Sequence, residues 1–365
     1  MTPAAQAPRR AGTRTRSGSR RGEGTAGWLF TLPVIVILGL FLLVPVLMAL
    51  WVSFSDWTGR GSPLSPGVGF VGLDNYAAIT TGGGLAEQNF GTAMRNNAWY
   101  VLLVVPIQTA LSLGLAMLVN RAALRGRGFF RTAFYFPSVT SSVAITVLWL
   151  FLFSASGAVN QVLSWIGVNG PNWFNDPRGI LHVALAKVGV ESGPAALSGA
   201  DFLGLTWWDW LSGPSIAMSA FILMAIFTTS GTFMLLFLAA LQNIAPELDE
   251  AGEMDGATRW QRLRLITLPQ LRPTLFTVLT LGVIGAWQVF DQIYTGTQGA
   301  PGKTTITPAY LSYDAAFRNQ EWGQGAAISF ILFVIIIALA ALQRWALRER
   351  DGRTGRRARR SGGAA

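Results

Sequence analysis

The chain has 365 residues, of which 51% are hydrophobic and only 13% charged, where a soluble domain would carry about 25% charged residues. It contains no cysteine and a single histidine, His182, which excludes disulfides, thiol chemistry and a histidine metal cluster. A formal net charge of +10 would suit a nucleic-acid binder, but the placement of the basic residues gives it another meaning.

The first 27 residues form an arginine-rich arm, read as a disordered basic tail. Arg9-Arg10 is reminiscent of a twin-arginine export signal. The apolar run behind it is about 25 residues, too long for a signal-peptide core, and no small-residue cleavage site follows. A helix needs about 20 apolar residues to cross the hydrocarbon core. Six runs qualify: Trp28–Val52, Ala98–Val119, Ala133–Phe153, Ile216–Leu241, Thr274–Tyr294 and Ala326–Leu347. The expected fold class is all-α, a polytopic membrane protein whose membrane domain covers residues 28–347. A second basic tail, 348–365, is also expected to be disordered.

Lys and Arg accumulate on the cytoplasmic side of membrane proteins. Twenty-two of the 28 basic residues lie in the N-terminal arm, in the loops after the second and fourth runs, and after the sixth. The opposite side holds only Arg60, Arg95, Arg178, Lys187, Lys303 and Arg318. Both termini are therefore expected in the cytoplasm, and the basic charge is a topology signal with anionic lipid, not nucleic acid, as its partner. The two long outer loops are residues 53–96 and 154–213. The second carries Trp207, Trp208 and Trp210, a density that suits the membrane interface. Its segment 180–190 is too short to span and is expected to lie flat.

The cytoplasmic loop 243–272, between the fourth and fifth runs, looks built to fold. Glu247, Asp249 and Glu250 stand where a helix N-terminus favours negative charge. Asp255-Gly256 breaks that helix, because glycine accepts backbone angles that other residues avoid. A second amphipathic turn, Trp260 to Ile266, is expected to end at Leu268-Pro269. Such a helix–turn–helix on a membrane surface reads as a docking knob for another protein.

This loop resembles the EAA motif of permease subunits of binding-protein-dependent ABC importers. The motif stands as Glu250-Ala251-Gly252, then Asp255-Gly256-Ala257, then Ile266-Thr267-Leu268-Pro269, with Gly252 where the family usually has Ala. Further segments resemble maltose-type carbohydrate permeases: FVGLDNY at 70–76, LRGRGFFRTAFYFPS at 124–138 and FDQIYTGTQGAPGKTT at 290–305. The resemblance covers residues 28–347 apart from 180–210, which departs from the family pattern and looks inserted. It implies the six-helix permease fold, a bacterial cytoplasmic membrane location, a second and different permease subunit, two ATPase subunits and an extracytoplasmic solute-binding lipoprotein. It also implies that the first loop helix sits in a cleft of the ATPase. Glu250 would offer charge to a basic cleft residue, and Ala251 and Gly252 would permit close approach. Gly256 would set the turn, and Leu268-Pro269 would anchor the return into the membrane.

Polar groups inside a span are costly and so point to function. Two clusters qualify: Thr228, Thr229 and Thr232, midway along the fourth run, and Trp287, Gln288, Asp291 and Tyr294 on the outward half of the fifth. Trp287, Asp291 and Tyr294 follow helical spacing. An aromatic plane with amide and carboxylate acceptors suits a sugar. Either cluster also has a structural reading, because Thr and Ser bond back to their own helix or pack between helices, and Asp291 suits an interface. Gly299 to Thr304 hints at a phosphate-binding loop, but Thr297 stands where its first glycine belongs. No cofactor, metal or catalytic residue is expected in this chain, and ATP would be bound by the partner ATPase. The same machine could carry a polyamine, phosphate or peptide. An independent secondary transporter would need buried ionisable residues, of which only Asp291 is close. The outer acids Asp56, Asp74, Asp176, Glu191, Asp201 and Asp209 form no compact motif for a membrane enzyme.

Overall fold

The computed structural model describes residues 20–121, 125–189 and 194–347. Most of the two basic tails and Glu191 lie outside them. Residues 1–51 and 52–365 form separate compact units.

The first unit contributes α1 (Arg20–Leu38), a π-turn (Gly39–Leu43) and most of α2 (Val44–Ser53), which together form one apolar stretch, Gly27–Ser53. It carries no charged residue. A helix apolar on every face is built for hydrocarbon rather than for one protein neighbour.

In the second unit, α3 (Asp74–Thr80) leads into α4 (Leu85–Asn120), much longer than the apolar run inside it. The next elements are α5 (Arg127–Val139), α6 (Ser142–Leu152), α7 (Ala158–Trp165), α8 (Ile180–Ala186) and α9 (Ala195–Ser198). A two-residue hairpin, β1 (Asp201–Phe202) and β2 (Leu205–Thr206), precedes α10 (Trp207–Trp210). Then come α11 (Ile216–Gln242), α12 (Pro246–Met254), α13 (Arg259–Arg262), α14 (Leu268–Gln270), α15 (Arg272–Trp287) and α16 (Asp291–Gly296). α17 (Pro308–Tyr313) and α18 (Trp322–Leu347) complete the chain. Among the described residues, five helical stretches are long and apolar enough to cross a membrane, and α5 with α6 makes up to six.

The core sits where α4 and α11 lie side by side, flanked by α5, α15 and α17. Tyr100, Phe221, Met218, Met224, Ile293 and Tyr310 are its large buried side chains. Polar groups on α4 are buried with partners, as a low-dielectric interior requires. Asn96 Nδ2 donates to the carbonyls of Lys303 and Ile306, both at 3.0 Å. Ser112 Oγ donates to the Ser230 carbonyl at 3.0 Å. Next to it, Gly231 lets α11 meet the α5 backbone, since a Cβ there would collide with the Phe134 carbonyl.

One expected span needs correction, and a second, kept as the single stretch Arg272–Gly296, carries a local break. Ala133–Phe153 is not one rod: α5 and α6 meet at 98° across Thr140-Ser141. Pro137 lacks the N–H that a continuous helix needs, and Ser141 is extended, with ψ 131°. The fifth run is also interrupted, at 288–290. The carbonyl of Trp287 accepts from Asn97 Nδ2 at 3.3 Å, and that of Val289 from Thr307 Oγ1 at 2.9 Å. Side chains from other helices thus take up carbonyls at the break, which lowers the cost of ending a helix inside the fold.

Within residues 180–210, the short α8 is tied to the tryptophan cluster: the His182 ring stacks on Trp208 at 4.5 Å. Trp99 Nε1 of α4 donates to the Trp210 carbonyl at 2.9 Å. Just before it, Arg178 pairs with Asp176 at 2.6 Å, and that side-chain hydrogen bond holds the Asp176 carboxyl below its ordinary range. In the Gly299–Thr304 segment, Lys303 Nζ donates to Asn89 Oδ1 at 2.6 Å.

Candidate functional site

Two cavities adjoin along α11. The first, of about 330 Å³, lies between Gln108 of α4, Thr229 and Phe233 of α11, Gly282 and Gly285 of α15, and the broken segment from Gln288 to Gln292. The second, of about 300 Å³, lies between Ser138 and Thr140 at the α5–α6 bend, Ser142 and Ile145 of α6, and Thr228, Thr229 and Thr232 of α11. Thr229, Phe233 and Gln292 line both.

The structure brings together Thr228, Thr229, Thr232, Gln288 and Asp291. It separates Trp287 and Tyr294 from them. Because the helix breaks after Trp287, the expected shared face of Trp287, Asp291 and Tyr294 does not exist. Trp287 is buried against Leu332 and Ile336 of α18. Tyr294 stacks on Phe290 at 5.4 Å and meets Tyr313 edge-on at 5.3 Å. Phe290 joins Tyr100 and Phe233 as the aromatic rings on the cavity wall, and Trp287 is not among them.

The threonines both pack and line. Thr228 Oγ1 bonds back to the carbonyls of Met224 and Ala225 at 3.0 and 3.1 Å. Thr229 Oγ1 reaches the Ala225 carbonyl and the Gln108 amide oxygen. Their donors are thus engaged with the protein, which leaves hydroxyl lone pairs as acceptors toward the cavities. Gln108 and Gln292 are site residues that the sequence reading missed. Gln108 carried a usable signal, an amide inside the apolar run Ala98–Val119. Gln292 follows Gln288 by a helical turn, but its place on both walls depends on the break.

The cytoplasmic loop folds as expected at its start. Pro246 opens α12 with Glu247 and Asp249 in its first turn, and Gly256 stands at φ +75°. Thr258 and Gln261 then form a capping box that starts α13. Arg262 Nη1 bridges Asp249 at 3.1 Å and Glu253 at 3.0 Å, which clamps the two helices together. Glu250 and Ala251 are exposed, as are Asp255 and Gly256, while Ala257 is half-buried.

Two expectations for the loop fail. Gly252 is not exposed on the loop. It is buried, and a Cβ there would come 2.8 Å from Ile266 Cδ1. Its small size serves the packing of the loop on itself. Leu268-Pro269 does not end the second helix either. A π-turn, Leu263–Thr267, carries the chain into α14. A wider turn relieves the missing proline N–H, so the backbone passes through Pro269 toward α15. The exposed knob also carries apolar side chains that no motif marks: Met254 is 88% exposed, Leu265 70% and Trp260 67%. Exposed apolar groups grouped beside charges mark a protein interface.

Comparison with known proteins agrees with this geometry. The chain is 32% identical over 344 residues to the lactose transport system permease protein LacF of Rhizobium radiobacter, covering 93% of this chain and 99% of that protein. It is 28% identical over 317 residues to the trehalose/maltose transport system permease protein MalF of Thermococcus litoralis, covering 87% and 91%. The structure of a bacterial ABC transporter involved in alginate import matches with a TM-score of 0.67 at 22% identity, over 90% of this chain and 96% of that one. Residues 109–350 match the family described as binding-protein-dependent transport system inner membrane component, and the chain belongs to that family of ABC importer permeases.

Proposed function

We propose that this chain is the membrane-spanning subunit of an ATP-driven importer and forms one wall of the translocation path for a carbohydrate. The observation that carries this reading is the composition of the first cavity: amides of Gln108, Gln288 and Gln292, the Thr229 hydroxyl, the Asp291 carboxylate and the Phe290 ring around one space. Sugars offer hydroxyl edges to such acceptors and C–H faces to such rings. The names of the relatives, among them lactose, trehalose/maltose and arabinooligosaccharide permeases, point the same way.

In this reading an extracytoplasmic lipoprotein delivers the solute to the outer loops, and a second, different permease supplies the facing wall. Two ATPase subunits bind ATP and receive the α12–α13 knob in a cleft. Glu250 is, with Glu247 and Asp255, an exposed acid available to that cleft, because Arg262 already holds Asp249 and Glu253. Both chain termini lie in the cytoplasm, as the distribution of arginines requires. Affinity purification of the tagged chain from native membranes in mild detergent tests the assembly. Recovery of a second permease, an ATPase and a lipoprotein is expected. Recovery of the chain alone, with transport in liposomes that needs no ATP, would make it a secondary transporter.

A further inference from the structure

The first cavity has a polarity that narrows the solute. Among the residues on the walls of both cavities, Asp291 is the only acid, and no Lys or Arg is present. Four of the six cations on the outer side are engaged elsewhere, and Arg60 and Lys187 line neither cavity. Arg318 bonds Asp314, Gln298 and Tyr310, Lys303 bonds Asn89, Arg95 bonds Asn96, and Arg178 pairs with Asp176. None of the ion pairs among the described residues includes Asp291. Its carboxylate is exposed at the first position of α16, immediately after the break that aims the segment at the cavity.

Given that the path carries a saccharide, we propose that Asp291 makes it selective for uncharged sugars and rejects sugar acids. A carboxylate accepts charge-assisted hydrogen bonds from neutral hydroxyls. It repels a uronate carboxylate, and the repulsion is stronger in a partly desolvated cavity than in water. With no cation on this chain's wall to compensate, the anionic ligand meets an unfavourable contact here rather than a missing favourable one. The structurally similar importer takes the acidic polysaccharide alginate, so this chain would share the architecture and differ in charge preference. An alternative role for Asp291, as a favourable charge at the start of α16, predicts no change in ligand preference on neutralisation.

The test uses the importer purified through this chain and placed in nanodiscs. Binding of maltopentaose and of penta-galacturonate is measured by ligand-observed NMR for the wild type, Asp291→Asn, Asp291→Glu and Gly285→Trp. Gly285 faces open space on the cavity wall, so a tryptophan there fills the site. Expected are at least about tenfold weaker binding of the uronate by the wild type, a gap that narrows to about threefold in Asp291→Asn and returns in Asp291→Glu, and loss of both ligands in Gly285→Trp. Equal binding of both sugars by the wild type would overturn the charge filter and leave the carbohydrate path standing. An unchanged gap in Asp291→Asn would overturn the assignment to Asp291, as would binding that survives Gly285→Trp. Absence of binding by either sugar would overturn the filter and the carbohydrate reading together.

Discussion

The cytoplasmic knob and the paired cavities are built in opposite ways. Four contacts that shape the knob lie within residues 246–271: the Gly256 turn, the Thr258–Gln261 box, the Arg262 clamp and the Gly252–Ile266 packing. The cavities draw on α4, α5, α6, α11, α15 and the break at 288–290, segments separated by up to 192 positions between Tyr100 and Gln292. A region held by its own neighbours can move as a unit and transmit force. A region assembled from several helices changes shape whenever those helices shift. That is the division of labour an importer needs between the site that receives energy and the site that releases solute.

The comparison predicts a graded series of effects. The largest belong to the knob. Gly256→Val places a branched residue at φ +75°, a strain of about 1–3 kcal/mol on a turn that must hold its shape. Glu250→Lys reverses the charge offered to the partner. Each is expected to abolish uptake while the protein remains in the membrane, as read by solute accumulation and immunoblotting of membranes. Normal uptake by both would remove the coupling role from the knob.

The next effect lies at the cavities. Gln108→Leu removes the partner of Thr229 and a wall amide. Loss of about one such hydrogen bond corresponds to roughly tenfold weaker transport at low solute. ATPase stimulation by the loaded binding protein is expected to persist, because the knob is untouched. Loss of uptake and stimulation in equal measure would break the separation of the two regions. Arg262→Ala follows. Its side chain is mostly buried although its acid partners are exposed, so about 1 kcal/mol of loop stability is expected to go. A drop of a few fold in ATP-driven uptake should accompany it. The smallest effect is expected from Gly252→Ala. The new methyl presses the flexible end of Ile266, and the gain in helix propensity of about 1 kcal/mol offsets this. Uptake within about twofold of wild type is expected, and abolition would put Gly252 back on the docking surface.

The same contrast explains what was legible in the sequence. The spans followed from runs of apolar residues, since only a helix satisfies its backbone in hydrocarbon. The knob was readable because Gly256 and the acids of α12 act on adjacent residues. Hydropathy carries no sign of the 98° bend at Thr140-Ser141, for which Pro137 is the local cue, or of the break after Trp287, whose carbonyls are taken up by side chains of other helices. The break at Trp287 is what turned it away from the path and put Phe290 and Gln292 on the wall. Gly252 misled for a related reason: a small residue looks alike whether it meets a partner or its own loop, and only the position of Ile266 decides.

The central claim is that α12 and α13 receive an ATPase while residues near 62 face the other side of the membrane. The chain has no cysteine, so Ala251→Cys and Ser62→Cys each provide a unique attachment point for a benzophenone photocrosslinker. Crosslinking in native membranes, read by mass spectrometry, is predicted to join the ATPase subunit to the reagent at position 251 and not at 62. An ATPase adduct at position 62, or none at 251 when the ATPase co-purifies with the chain, would contradict the account.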